Sequence, residues 1–248
     1  MTWAVMMSVF QPHNADFGYN EALLQAEKHA SYTVDLPGNY RLIALDSCDP
    51  TKSTEDGMTP DRVMWVLEQA KQAKSDGKYP ILMMHHNLLD HLPMQRILSH
   101  DFIIRFHYTT ADLFANAGIK IVLTGHEHCS DATSYTSTLG NVIYDFATTS
   151  LTMYPLQYRL FDVNDEMISY TAQTVDSIDT DALTAAVSGY TEEQLALMNA
   201  GMNDYAGGFL KAGIEYRLAL SLSMEKIGIA EGEFDYDLVS TAVGGLTD

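Results

Sequence analysis

The chain has 248 residues, 46% of them hydrophobic and 19% charged, which is enough apolar material for a core and excludes disorder as the default. Its 14 basic and 33 acidic residues give a net charge of −19. That field repels phosphate backbones and anionic lipid, so nonspecific nucleic-acid binding is excluded.

The amino-terminal stretch Met1 to Phe10 is apolar and unpunctuated, and Asn20 to His29 reads as a helix. There is no basic region followed by an apolar run, hence no visible signal peptide, and the compartment stays open. Tyr32–Leu36 and Tyr40–Leu45 are strand-like runs joined by Pro37-Gly38-Asn39, a hairpin signal. Thr59-Pro60 opens a helix, with Thr as N-cap and Pro at the first helical position. Val63, Val66, Leu67, Ala70 and Ala73 form its apolar stripe, and Gly77 closes it. Pro80–Met84 then suits a buried strand. Thr110–Ala117 predicts a second helix ended by Gly118, and Ile119–Thr124 a second buried strand. This alternation argues an α/β arrangement.

From Asp131 to Gln173 the chain reads as antiparallel strands, including Asn141–Phe146 and Leu156–Val163. Residues 1–175 form one expected domain. Residues 176–248 form a second, acidic and helical, with helices at Thr180–Ser188, Thr191–Asn203, Tyr205–Lys226 and Tyr236–Val243. Phe209, Ile214, Leu218 and Leu222 give the third of these an apolar stripe expected to pack inward. No run of about 18 apolar residues is present, so no membrane span is expected. Cys48 and Cys129 are too few for a disulfide framework, and neither belongs to a Cys-x-x-Cys pair of the kind a structural zinc site uses.

Two histidine clusters follow the two buried strands. His85-His86 follows Ile81–Met84, and Gly125-His126-Glu127-His128 follows Ile119–Thr124. In open α/β sheets, ligands bind beyond the carboxyl ends of strands. If the two strands are parallel neighbours, both clusters face one crevice, and imidazoles there suit zinc, iron or related ions. His13, His29, His91, His100 and His107 stand alone and read as structural or solvated.

Tyr40-Arg-Leu-Ile-Ala-Leu-Asp46-Ser47, the helix carrying Trp65 and Leu67, Met84-His85-His86-Asn87 and Gly125-His126-Glu127-His128, in that order, resemble the carboxyl-terminal part of calcineurin-like metallophosphoesterases. The resemblance covers about Tyr32 to Gln173. It implies part of a metallophosphoesterase β-sandwich flanked by helices. It implies two divalent metal ions, manganese, iron or zinc, that activate water for attack on a small phosphate ester. His85 and His126 would ligate one ion and His128 the other. His86 and Asn87 would stand behind the ligands, with Asn87 where proline is common. Glu127 occupies a variable position and carries no implied role.

The family's Asp-x-His, Gly-Asp and Gly-Asn-His motifs, with the carboxylate that bridges the metals, are expected upstream of Tyr32. Pro12-His13-Asn14-Ala15-Asp16 has the right residue types in the wrong order. The chain therefore reads as a piece of a longer phosphoesterase. The alternative is a noncatalytic protein that binds one metal or a partner, its acidic tail serving as the surface. Substrate, mono- versus diesterase action and oligomeric state are not readable from these residues.

Overall fold

The structure is a computed structural model, and it describes residues 30–49, 56–93, 95–164 and 167–221. The segments read above as Met1–Phe10, Asn20–His29 and Tyr236–Val243 lie outside the described residues.

The chain divides into two compact units between Thr149 and Ser150. The first unit holds a six-stranded sheet. Strands β1 (Tyr32–Leu36), β2 (Tyr40–Ala44), β3 (Tyr79–Met83), β4 (Ile121–Thr124), β5 (Asp131–Thr136) and β6 (Val142–Ala147) lie in the order β1-β2-β3-β4-β6-β5. The four central strands, β2, β3, β4 and β6, run parallel, and β1 and β5 are antiparallel edges. Helices α1 (Pro60–Ser75) and α3 (His107–Ala117) pack on this sheet and on each other, with a short turn of helix, α2 (Gln95–Leu98), between them in sequence. The mixed α/β reading, with a central, mostly parallel sheet and helices against it, is what the structure has.

Local chemistry explains the boundaries. The Thr59 side chain accepts from Arg62 N at 3.3 Å and caps α1, Pro60 fills its first position, and Gly77 takes a left-handed φ of 71° just beyond it. Helix α3 starts three residues before the expected Thr110. Its N-cap, Phe106, is left-handed and makes no side-chain cap bond, so no cap signal marks the start. Gly118 ends α3 at φ 97° as expected. Ile81 and Leu82 of β3 and Ile121 and Val122 of β4 are buried, as befits central parallel strands, while Met83 at the end of β3 is 36% exposed. Ile43, Val66, Ala70, Leu82, Phe114, Ile119, Val122 and Ile143 are fully buried and form the core. Each large aliphatic among them contributes about 2 kcal/mol by its removal from water.

The second unit contains an antiparallel hairpin, β7 (Gln157–Val163) with β8 (Ile168–Thr174), then helices α4 (Thr180–Ala186), α5 (Glu192–Ala200) and α6 (Met202–Ser221). A capping box of Thr191 and Gln194 starts α5. The expected inward stripe of α6 does not hold at two positions, since Phe209 is 72% and Ile214 47% exposed. The spacing of apolar residues fixes a common face but not what covers it. No helix of the described residues is long and apolar enough to cross a membrane. Neither Cys48 nor Cys129 forms a disulfide among the described residues.

Candidate functional site

Strands β3 and β4 are adjacent and parallel, with Met83 opposite Leu123. The segments that leave their carboxyl ends are therefore side by side. Gly125 N donates to His85 O at 3.0 Å, which fixes the two exits against each other.

Across that junction the rings of His85 and His126 meet. Nδ1 of His126 contacts Nε2 of His85, with ring centroids 4.3 Å apart. His128 stands near enough for its charge to act on both rings. His85 and His128 are exposed and His126 is half-buried, so the cluster opens to solvent. Burial first, then the neighbouring His85 and His86, pushes the His126 ring down to about 4. Burial, then His86 and His128, lowers His85 in the same direction. Both shifts favour the neutral ring, the form that offers a lone pair to a cation.

The backbone is unusual where these rings originate. His126 and His128 both have left-handed φ, 59° and 55°. That region is sparsely populated for residues other than glycine, and His is one of the few that visits it. Glu127 N donates to Gly125 O at 2.7 Å between them.

His86 and Asn87 are buried beneath the pair His85 and His126, with the His86 ring centroid 4.8 Å from that of His126. His86 is 2% exposed, and its Nδ1 pairs with Ser47 Oγ at 2.8 Å. Asn87 is fully buried. Its Nδ2 donates to Thr124 Oγ1 at 2.9 Å and to Gly125 O at 3.1 Å, and its Oδ1 accepts from Gln95 Nε2 at 2.9 Å. Thr124 Oγ1 in turn donates to Asp145 Oδ1 at 2.7 Å. The fully buried Asp145 also accepts from Leu88 N at 2.8 Å and Leu89 N at 2.9 Å.

Several residues here carried no sequence signal as site residues. Gln95, buried at 1% exposure, donates to Glu127 Oε2 at 3.0 Å as well as to Asn87. Ser99 Oγ donates to Glu127 Oε1 at 3.2 Å. Phe102 lies edge-on to the His126 ring, centroids 4.0 Å apart. Polar residues in a short segment 30 or so positions from their partners leave no periodic trace, so the pattern of residues could not have found them.

The donor chemistry suits a divalent cation in part. The imidazoles of His85 and His126 converge, and among the described residues the buried Nε2 of His126 has no hydrogen-bond partner. Against a full coordination shell, no group of three or more His, Cys, Asp or Glu side chains among the described residues is arranged to hold an ion. Of the three histidines read as candidate ligands, His85 and His126 are the pair whose rings the fold brings into contact.

No family model matches the sequence, and no curated protein is similar to it. Among solved structures, the chain is similar to a dimetal phosphatase from Danio rerio, at 10% identity and a TM-score of 0.44, over 60% of this chain and 59% of that one. The chain thus spans less than two thirds of that structure's length.

Proposed function

We propose that His85, His126 and His128 are ligands of a two-metal site that hydrolyses phosphate mono- or diesters, with the remaining ligands, a bridging carboxylate among them, supplied from outside the described residues. The observation that carries this reading is the convergence of the His85 and His126 rings at the carboxyl ends of two adjacent parallel strands. The sequence motifs support it independently. Divalent ions bound there would lower the pKa of water and offset the charge of the phosphate. They would also locally reverse the repulsion that a chain of net charge −19 exerts on an anionic substrate. Within the chain, His85 and His126 hold the lone pairs, and Gly125 and Asn87 set the spacing between the two strand exits.

The test is binding of Mn(II) and Zn(II) by the chain, followed by hydrolysis of p-nitrophenyl phosphate and its bis ester. Expected is metal binding that weakens about tenfold or more in His126→Ala, with turnover that is slow and metal-dependent. Equal metal binding by wild type and His126→Ala would overturn the reading. The part-shell of donors favours one other function, noncatalytic binding of a single metal. One ion per chain and no turnover in the intact gene product would select it.

A further inference from the structure

Glu127 lies between two left-handed histidines and points away from them, toward the start of α2. Its two carboxylate oxygens are taken by different donors, Oε2 by Gln95 Nε2 and Oε1 by Ser99 Oγ. Gln95 is itself immobilised, because Oε1 accepts from His91 N at 2.7 Å and Nε2 also donates to Asn87 Oδ1. Ser99 is held by its own N–H on Gln95 O at 2.8 Å. The segment that carries these donors is bound to the exit of β3, through Asn87 N to Phe102 O and Ile104 N to Asn87 O, both 3.0 Å. Phe102 from the same segment closes on the His126 ring. One segment, residues 95–104, therefore holds Glu127 on one side of the loop and His126 on the other.

We propose that Glu127 is a positioning residue for the histidine site, anchoring the 125–128 loop to Gln95 and Ser99 so that His126 and His128 keep the backbone conformation that presents their rings. This rests on the reading of those rings as metal ligands. A residue at position 127 without acceptors would release the loop, and the left-handed conformations of its neighbours would relax toward the ordinary regions. The partners behind metal ligands typically govern affinity in this way.

The test uses Co(II) alone, followed by its visible absorption, on wild type, Glu127→Ala, Glu127→Gln and Ser99→Ala. Glutamine can accept from Gln95 and donate to the Ser99 hydroxyl, so it preserves both contacts without the charge. Expected is Co(II) affinity about 10- to 100-fold weaker in Glu127→Ala, an intermediate loss in Ser99→Ala, and near wild-type binding in Glu127→Gln. Unchanged binding in Glu127→Ala overturns the proposal. Equal loss in Glu127→Gln and Glu127→Ala also overturns it, because the charge and not the anchoring would then be what matters. Nuclear Overhauser contacts between the His85 and His126 rings give a readout without metal. They should persist in Glu127→Gln and weaken in Ser99→Ala, and unaltered contacts in Ser99→Ala and Glu127→Ala overturn the proposal. If the wild type binds no Co(II), the metal reading falls, and these ring contacts still decide whether Glu127 positions the loop.

Discussion

Asn87 and Thr124 are joined by a 2.9 Å hydrogen bond, Nδ2 to Oγ1, which ties the segment after β3 to the last residue of β4. It is the middle link of a directional chain. Gln95 donates to Asn87, Asn87 to Thr124, and Thr124 to Asp145. Each group uses its donor on the next acceptor, so buried polar atoms of α2, the segment after β3, the end of β4 and β6 satisfy one another. A network of this kind stabilises only while it is complete.

Asn87→Ala removes the middle link. Gln95 loses one acceptor, and Thr124 Oγ1 and Gly125 O each lose a donor. Groups left unsatisfied in the interior cost roughly 1–3 kcal/mol each, partly offset by rearrangement, so a loss of about 2 kcal/mol is expected. Asn87→Pro should cost more. Proline also forfeits the N–H that Asn87 gives to Phe102 O at 3.0 Å. Thermal melts of both variants check this, and a proline variant as stable as wild type would refute it.

His91 should make stability fall as pH rises. The residue is buried, with Nδ1 2.9 Å from Asp131 Oδ2 and Nε2 3.2 Å from Asp145 Oδ2. The second contact is a charge contact without hydrogen-bond geometry. Burial works against a charged ring, but Asp145 and then Asp131 outweigh it and raise the pKa above the ordinary 6.5. A pKa raised in the folded state stabilises fully below the unfolded value, and the contribution disappears as pH climbs through the folded value. Urea unfolding of wild type and His91→Gln should therefore differ most in mildly acid solution. The gap should shrink on the alkaline side of the raised pKa. A gap independent of pH would show that His91 is held as a neutral ring.

Most of the first unit was legible because its signals are local. Thr59-Pro60 and Gly77 bracket α1, and Pro37-Gly38-Asn39 separates β1 from β2, since caps and turns depend on neighbouring residues. The partner of a strand is a different matter. The stretch containing β6 reads as antiparallel, and β6 does pair antiparallel with β5. On its other edge it lies parallel to β4, which no property of Asn141–Phe146 encodes. The same limit hides the site's supports. His85 and His126 announce themselves by sitting after apolar strands, whereas Gln95 meets Glu127 only because the segment carrying it is bound back onto Asn87. His91 read as an isolated histidine because the carboxylates on either side of it come from two other strands.

Gly57→Ala should destabilise the loop behind His86. Gly57 N donates to Ser47 O at 2.8 Å, and a β-carbon at this position would run into the Cys48 carbonyl and come within 2.6 Å of Arg62 Nη1. Arg62 cannot easily yield. It is 6% exposed and donates to Asp46 O at 3.0 Å and Cys48 O at 2.9 Å. Forcing an atom into such a site costs about 2 kcal/mol. Equilibrium unfolding measures the loss, and a variant within experimental error of wild type would contradict the packing described.

His85 and His86 are adjacent in sequence but should fail in different ways when replaced by alanine. His86 is buried, and its ring shares a 2.8 Å hydrogen bond with Ser47 Oγ, which also accepts from His86 N at 3.2 Å. Removing it opens a cavity and strands a buried hydroxyl, so His86→Ala should lose about 3 kcal/mol of stability. Ser47→Ala, which removes the same hydrogen bond from the other side, should reproduce part of that loss. His85 is exposed and meets His126 through its ring nitrogen, so His85→Ala should change stability by no more than about 0.5 kcal/mol. Its cost should fall on metal binding instead, as a Co(II) affinity at least about tenfold weaker. Melting curves and Co(II) titrations of the same three variants separate the two effects. The reverse pattern, with His86→Ala stable but unable to bind and His85→Ala binding normally, would transfer the ligand role from His85 to His86.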